Sequence, residues 1–131
     1  MKKQITLALL LVISALSACK KAEGTHVDIV GTWKVAKVET AIAGSAVVTY
    51  TGTSSDYFEF RGNKENEVVV NLNSNSSIGT YYVLVSNGLK ITYGGKSRNG
   101  DITTISDNKL EFTVTVDGAT PQTTEKYYLT K

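Results

Sequence analysis

The sequence predicts an all-β protein, an eight-stranded antiparallel up-and-down barrel, and three observations support this. From Val30 onward, short runs of alternating or β-branched residues are separated by clusters of Gly, Asn, Asp and Ser, a pattern typical of strands and turns. No stretch of this region keeps a helical period. Because the joining segments are mostly short, successive strands should be neighbours, and eight neighbours can close without an unpaired edge. An open β-sandwich is the alternative.

The first three runs of this pattern cover residues 30–40, 56–61 and 67–72. A Gly/Ala/Ser-rich stretch follows the first run and contains a possible additional strand at 46–51. Alternation places Phe58 and Phe60 on one face of the second run. In the third run, Val70 lies on one face and its neighbours Val69 and Asn71 lie on the opposite face. We therefore expect Phe58, Phe60 and Val70 to point into the core.

The fourth and fifth runs are expected to form a hairpin. Between them lies Asn87-Gly88, a strong type I′ turn signal because both residues tolerate positive φ. The fifth run directs Ile91 and Tyr93 to one face. The fourth run, 78–85, is ambiguous in register, since alternation can bury either of two sets, Tyr82 and Leu84 or Tyr81, Val83 and Val85.

The last three runs complete the predicted meander. The sixth, 101–106, meets the seventh, 109–116, through Asp107-Asn108. The seventh has the cleanest alternation in the chain and directs Phe112 and Val114 to its apolar face. The eighth run, 123–130, carries Tyr127 on its inner face.

The N-terminal segment has the features of a secretion signal. Lys2 and Lys3 precede an apolar stretch at residues 5–16, which is shorter than the roughly 20 residues that span a bilayer. The following Leu16-Ser17-Ala18-Cys19 resembles the lipobox of bacterial lipoproteins, in which the Cys is acylated and becomes the first residue of the mature protein. The resemblance implies a signal peptide at 1–18, a lipidated tether at 19–29 and one domain at 30–131.

Charge and cysteine content argue against nucleic-acid binding and against a disulfide within the chain. Loss of Lys2 and Lys3 with the signal would cancel the net charge of +2, and basic and acidic residues are interspersed in the remainder. Nucleic-acid binding is therefore not expected. A single Cys cannot form a disulfide within the chain.

Gly31-Thr32-Trp33, at the start of the first predicted strand, looks like the Gly-x-Trp motif of the lipocalins. Residues 30–131 as a whole resemble the short lipocalin-like domains of bacterial lipoproteins. The resemblance implies structural roles, in which Gly31 lets the strand cross the barrel floor and Trp33 plugs the closed end. A basic residue that stacks on this Trp would be Lys126 or Lys131. The Thr-Asp-Tyr-type turn and terminal helix of larger lipocalins are not visible.

Enzymatic chemistry and a cofactor are not expected. The single histidine, His26, lies in the tether, which leaves no Ser-His-Asp triad and no His-rich metal site. The nearest carboxylate pairs are expected to be solvated charges at strand ends and turns; they are Asp56 with Glu59 and Glu65 with Glu67. The glycine-rich Gly94-Gly95-Lys96-Ser97 lacks the spacing of a phosphate-binding loop and is expected to be a flexible hairpin loop, within a mobile segment at 94–100.

Two functions remain open. The leading hypothesis is a membrane-anchored barrel that binds a small apolar or amphipathic molecule at its open mouth. Its candidate ligand contacts are the inward residues Phe58, Phe60, Val70, Tyr82, Ile91, Tyr93, Phe112, Val114 and Tyr127. The alternative is a solid barrel that binds an envelope protein through segments 41–55 and 94–100, as an inhibitor or accessory subunit. Lys20, in place of the Asp that often retains lipoproteins in the inner membrane, favours the outer membrane.

Overall fold

The computed structural model describes residues 28–131. The predicted signal peptide, Cys19, His26 and nearly all of the tether lie outside the described residues. No helix within 28–131 is long and apolar enough to cross a bilayer. The strands are β1 Gly31–Ile42, β2 Val48–Thr51, β3 Tyr57–Phe60, β4 Glu67–Leu72, β5 Asn75–Val83, β6 Gly88–Tyr93, β7 Lys96–Ile105, β8 Lys109–Val116 and β9 Thr123–Thr130, with a 3-10 turn at Val85–Asn87.

The strands form one closed antiparallel barrel. From β3 to β9 each strand pairs with the next, and β9 pairs with β1. Both β2 and β3 lie on the other edge of β1, β2 opposite residues 37–40 and β3 opposite residues 31–34. They are therefore two halves of one barrel strand, interrupted at residues 52–56. The predicted eight-stranded barrel is confirmed, and the possible additional strand is the first half of its second strand.

The two ends of the barrel differ, and we call the end containing Trp33 the base and the opposite end the mouth. Trp33 is 1% exposed, and its Nε1 donates a hydrogen bond to the Ile29 carbonyl at 2.9 Å. The Nζ of Lys131 lies 4.4 Å from the indole ring. Lys126 instead lies over Tyr128, so Lys131 is the basic partner of the Trp.

Aromatic rings occupy the centre of the barrel. The ring of Phe58 lies 5.4 Å from Tyr127, 5.7 Å from Tyr93 and 6.0 Å from both Phe60 and Phe112, between ring centroids. Edge-on and offset contacts of this kind stabilise a core beyond the area that they bury. The side chains predicted to point inward are all buried except one; the buried ones are Phe58, Phe60, Val70, Ile91, Tyr93, Phe112, Val114 and Tyr127. The protein's own side chains thus fill the middle, as eight strands allow.

Tyr82 is the exception, and its predicted interior position is wrong. In β5 it is Tyr81 that is buried, opposite Ile91 of β6, with its ring 5.0 Å from Phe60. Tyr82 therefore faces outward and is 48% exposed. The pairing with β6 and the aromatic partner in the core select this register, and neither is visible in the alternation of β5 itself.

The hairpin between β5 and β6 is confirmed, but its predicted turn is wrong. Positive φ occurs at Ser86 and Asn87, whereas Gly88 has a φ of −59° and begins β6. The amide of Leu84, the first residue of the connection, donates to the Gly88 carbonyl at 2.7 Å, which closes a turn over residues 85–87. A Cβ on Gly88 would lie 3.0 Å from the Leu84 Cβ. The glycine therefore leaves room for the Leu84 side chain.

The expected loop at 94–100 is mostly strand. Only Gly94 and Gly95 form the turn, both with positive φ, and β7 begins at Lys96. Because two glycines suffice for a tight hairpin, the following residues pair with β6 from the first position after the turn.

Asp56 is fully buried, contrary to the expectation of a solvated charge. Its carboxylate accepts hydrogen bonds from the backbone N of Thr53 at 2.7 Å, the hydroxyl of Tyr50 at 2.7 Å, the hydroxyl of Thr53 at 2.9 Å and the backbone N of Asn73 at 2.9 Å. Burial alone would raise the pKa of Asp56, but these donors outweigh it and the pKa lies below its ordinary value of 3.8. The carboxylate thus joins the interruption between β2 and β3 to the β4–β5 turn.

We expect Asp56→Asn to lower the free energy of unfolding by about 2 kcal/mol at neutral pH, because an amide cannot accept all of these bonds. A depressed folded-state pKa stabilises the fold above the unfolded pKa and is lost as pH falls through the folded value. The wild-type chain should therefore lose stability below about pH 4 more steeply than the variant. Thermal unfolding across this range measures both effects, with exposed Asp107→Asn as the control. Parallel pH profiles for wild type and Asp56→Asn would contradict the assignment.

Candidate functional site

A cleft of about 570 Å³ opens on the base of the barrel. Its walls come from three segments: the residues that enter β1, the β3–β4 connection and the end of β5. All three lie at the base because β3 and β5 end where β1 begins. We call it the base cleft, and it is lined by Asp28, Ile29, Val30, Gly62, Asn63, Asn66, Tyr81, Tyr82 and Val83.

Tyr81 joins the base cleft to the core. Its ring packs against Phe60, and its hydroxyl donates to the Arg61 carbonyl at 3.1 Å. Its backbone N donates to the Asn66 carbonyl at 2.9 Å. Burial, with a smaller contribution from the Asp28 carboxylate, raises the pKa of Tyr81. The hydroxyl is therefore neutral at physiological pH, and this wall is anchored at both its ring and its backbone.

Polar contacts hold the wall formed by the β3–β4 connection. The side chain of Asn63 accepts from the Glu67 backbone N at 3.0 Å and donates to the Glu67 carboxylate at 3.1 Å. Arg61 donates to the same carboxylate at 3.0 Å and lies 3.4 Å from Glu59. These bonds position the connection before any ligand binds, so that the wall is largely preformed.

The composition of the base cleft suits a small amphipathic molecule. Val30, Tyr82 and Val83 give it apolar surface, while Asn63 and other polar residues contribute amide and carboxylate groups. Ligand sites in proteins commonly have volumes of roughly 300–1,000 Å³ and combine apolar walls with a few polar groups. Among residues 28–131 no three His, Cys, Asp or Glu side chains are grouped so as to bind a metal.

A second polar group of side chains lies inside the barrel, toward the mouth. Arg98 of β7 and Glu125 of β9 form an ion pair at 2.7 Å with side chains only 8% and 16% exposed. The Tyr127 hydroxyl bonds to Glu125 at 2.5 Å and also to the Tyr93 hydroxyl. The Arg98 guanidinium stacks 3.8 Å from the Tyr93 ring and donates to the Tyr93 and Lys96 carbonyls, each at 3.1 Å.

We call Arg98, Glu125, Tyr127 and Tyr93 the mouth network. Burial raises the pKa of Tyr93 to about 12 and raises that of Tyr127 well above its ordinary value, so both hydroxyls stay neutral and can donate. No buried polar side-chain atom in the described part of the chain lacks a partner. Each buried polar atom of the network therefore has at least one partner, and these polar groups lie between the aromatic rings and the mouth.

The sequence of residues 29–112 matches the family described as lipocalin-like domain, which covers more than half of the chain. The chain belongs to this family. Comparison with curated proteins and with solved structures found no match. The matched residues of the lipocalin-like domain end within β8, and β9, which lies beyond them, closes the barrel against β1. The family match and the strand pairing therefore both support the assignment of the lipocalin-like fold.

The lipocalin-like domain has Gly31 and Trp33 at its base. Gly31 has a φ of +130°, and the Lys131 side chain lies 3.4 Å from where its Cβ would be. Of the candidate ligand contacts, only Tyr82 lines the base cleft; the other candidates pack in the core. Sequence reasoning missed Tyr81, Asn63 and Asn66 as cleft residues, because their position follows from which connections meet at the base.

Sequence reasoning predicted Tyr93 and Tyr127 of the mouth network to point inward, but it missed the buried ion pair. Arg98 and Glu125 are charged residues on inward-facing positions, whereas alternation rules assign charged residues to the solvent. One signal was present in the sequence. Arg98 and Glu125 occupy the same alternating face as Ile102 and Tyr127 in their respective strands, which predicts a buried pair once the strands are known.

Proposed function

We propose that this protein is a membrane-anchored, non-enzymatic lipocalin-like lipoprotein that binds a small amphipathic molecule in the base cleft. The observation that carries the proposal is the cleft itself, which has the volume and the mixed apolar and amide lining of a ligand site. The filled aromatic centre supports placing the ligand there, since a molecule in the barrel interior would have to displace packed rings at the cost of their contacts.

Tyr82 tests the site because it lines the cleft without supporting the core. We expect Tyr82→Ala to weaken binding of the neutral, predominantly apolar dye N-phenyl-1-naphthylamine about tenfold, since an aromatic anchor is worth about 1.4 kcal/mol or more in a binding site. Fluorescence titration measures the affinity. Thermal unfolding should change little, because the ring is half exposed.

Tyr57→Ala is the matched control. Tyr57 is a half-buried ring on the barrel wall, where the Nζ of Lys34 lies 5.7 Å from it, and it does not line the base cleft. Its loss should leave dye affinity unchanged. Equal affinity in the wild-type and Tyr82→Ala chains would contradict the proposed site.

We also propose that Cys19 carries the membrane anchor, with removal of residues 1–18 and an outer-membrane destination. The support is the lipobox-like Leu16-Ser17-Ala18-Cys19 after a short apolar segment. Each buried methylene contributes about 0.8 kcal/mol, so a multiply acylated Cys19 holds the protein firmly. Cys19→Ser should release the protein from the membrane fraction, and mass spectrometry of the wild-type N-terminus should show the added lipid. Membrane retention of Cys19→Ser would contradict the anchor.

Exposed valines at the mouth support a second candidate function, binding of an envelope protein. Val47 and Val48, within segment 41–55, are 60% and 63% exposed. Val47→Asp combined with Val48→Asp should abolish capture of such a partner from envelope extract and leave dye binding at the base cleft unchanged. Dye binding that is lost with these substitutions would contradict the separation of the two surfaces.

A further inference from the structure

Exposed apolar side chains gather at the base of the barrel. Val85 is 84% exposed and Leu84 is 58% exposed, both in the β5–β6 connection, while Val30 is 45% and Tyr82 is 48% exposed beside it. No charged residue occurs between Glu67 and Lys90, so the whole β5–β6 connection is uncharged. Apolar side chains at the tip of an uncharged loop are the groups that enter the interfacial region of a bilayer at least cost.

The chain also leaves the barrel at this end. Residue 28 precedes β1 at the base, and nine peptide steps separate it from Cys19, which can span at most about 30 Å. β1 has 12 residues, and at a strand tilt of about 40° it covers roughly 28 Å along the barrel axis. A mouth facing the membrane would require the tether to be almost fully extended along the wall, whereas a base facing the membrane requires no extension.

We infer that the base of the barrel docks on the membrane surface, with Leu84 and Val85 inserted among the lipid headgroups and the base cleft opening toward them. This rests on the proposed lipid anchor at Cys19. The valines exposed at the mouth, Val47 and Val48, point away from the membrane in this orientation. The anchor raises the local concentration of the loop at the bilayer, so weak insertion is sufficient.

Tryptophan depth measurement tests the orientation. Val85→Trp and Val47→Trp are compared in the lipidated protein, reconstituted in phosphatidylethanolamine–phosphatidylglycerol vesicles that contain headgroup-region spin-labelled lipid. Trp33 is buried in both variants and gives a constant background. We expect quenching and a blue shift of the Val85→Trp emission and no change for Val47→Trp. Equal emission with and without the quencher in both variants, or quenching of Val47→Trp alone, would overturn the docking.

A second preparation separates failure of docking from failure of the anchor. The same variants, beginning at Cys19, are coupled through the Cys19 thiol to a maleimide-bearing lipid in the vesicles, which supplies the anchor chemically. Quenching of Val85→Trp in this preparation supports the docking even if natural acylation is absent. Lack of quenching overturns the docking, while membrane fractionation of Cys19→Ser decides the anchor independently.

Leu84→Asp combined with Val85→Asp provides a further readout with a matched control. In the lipid-coupled chain these substitutions should increase protease cleavage of the tether near residue 28, because the base no longer rests on the bilayer. Val47→Asp combined with Val48→Asp should leave the cleavage rate unchanged. The same increase in both double variants would overturn the assigned orientation.

Discussion

Arg98→Met is expected to lower the free energy of unfolding by about 3–5 kcal/mol, because it leaves the Glu125 carboxylate in the barrel without its partner. The pair lies at 2.7 Å with both side chains largely buried. The substitution also removes the guanidinium from the Tyr93 ring and from two backbone carbonyls. Chemical denaturation measured at neutral pH should show the loss as a lower midpoint with an unchanged slope.

Two comparisons isolate this effect. Arg61→Met removes an arginine whose ion pairs with Glu59 and Glu67 are much more exposed, and it should cost less than about 1 kcal/mol. Arg98→Met combined with Glu125→Leu should be more stable than Arg98→Met alone, because no unpaired charge remains. Similar losses for Arg98→Met and Arg61→Met would show that the mouth network is effectively solvated, contrary to the structure.

Gly79→Ala is expected to destabilise the barrel by about 3 kcal/mol or more, because the new methyl group has no room. Gly79 faces inward on β5, and a Cβ there would lie 1.7 Å from the Thr92 carbonyl oxygen and 3.0 Å from the Tyr93 Cα. Those atoms belong to the backbone of β6, so relief requires separating two paired strands. For a domain of this size, 1 kcal/mol corresponds to about 4–8 °C in melting temperature.

Gly62→Ala is the control for this prediction. A Cβ on Gly62 would meet only the Val30 side chain at 3.5 Å, an ordinary contact, so its melting temperature should stay close to that of the wild type. Thermal unfolding followed by circular dichroism compares the variants. Wild-type stability in Gly79→Ala would mean that β5 and β6 are farther apart than the structure shows.

The sequence predicted the barrel well because each strand carries its own evidence. The seventh run, for example, alternates cleanly from Leu110 to Val116, and all four of its apolar residues are buried in β8. The hairpin of β5 with β6 was likewise predictable from the Asn and Gly between them. These features depend on neighbours along the chain, whose identity the sequence states directly.

Positions that depend on distant neighbours were the ones predicted wrongly or left open. The register of β5 depends on its contacts with Phe60 and Ile91. The burial of Asp56 depends on hydrogen-bond donors as far apart in the chain as Tyr50 and Asn73. The choice of Lys131 over Lys126 depends on where the last strand ends relative to Trp33. Each case requires knowing which side chains meet across the sheet. The alternation of apolar residues along one strand does not contain that information.

By itself the sequence determined the all-β class, the sequential order of the eight barrel strands and the position of Gly31 and Trp33 at the start of the first strand. Only the tertiary structure decided that the barrel centre is filled by its own aromatic rings, that Arg98 and Glu125 neutralise each other inside, and that the cleft lies at the base. The physical reason is that alternation encodes which face of a strand is apolar, whereas room for a ligand depends on how closely opposite walls pack.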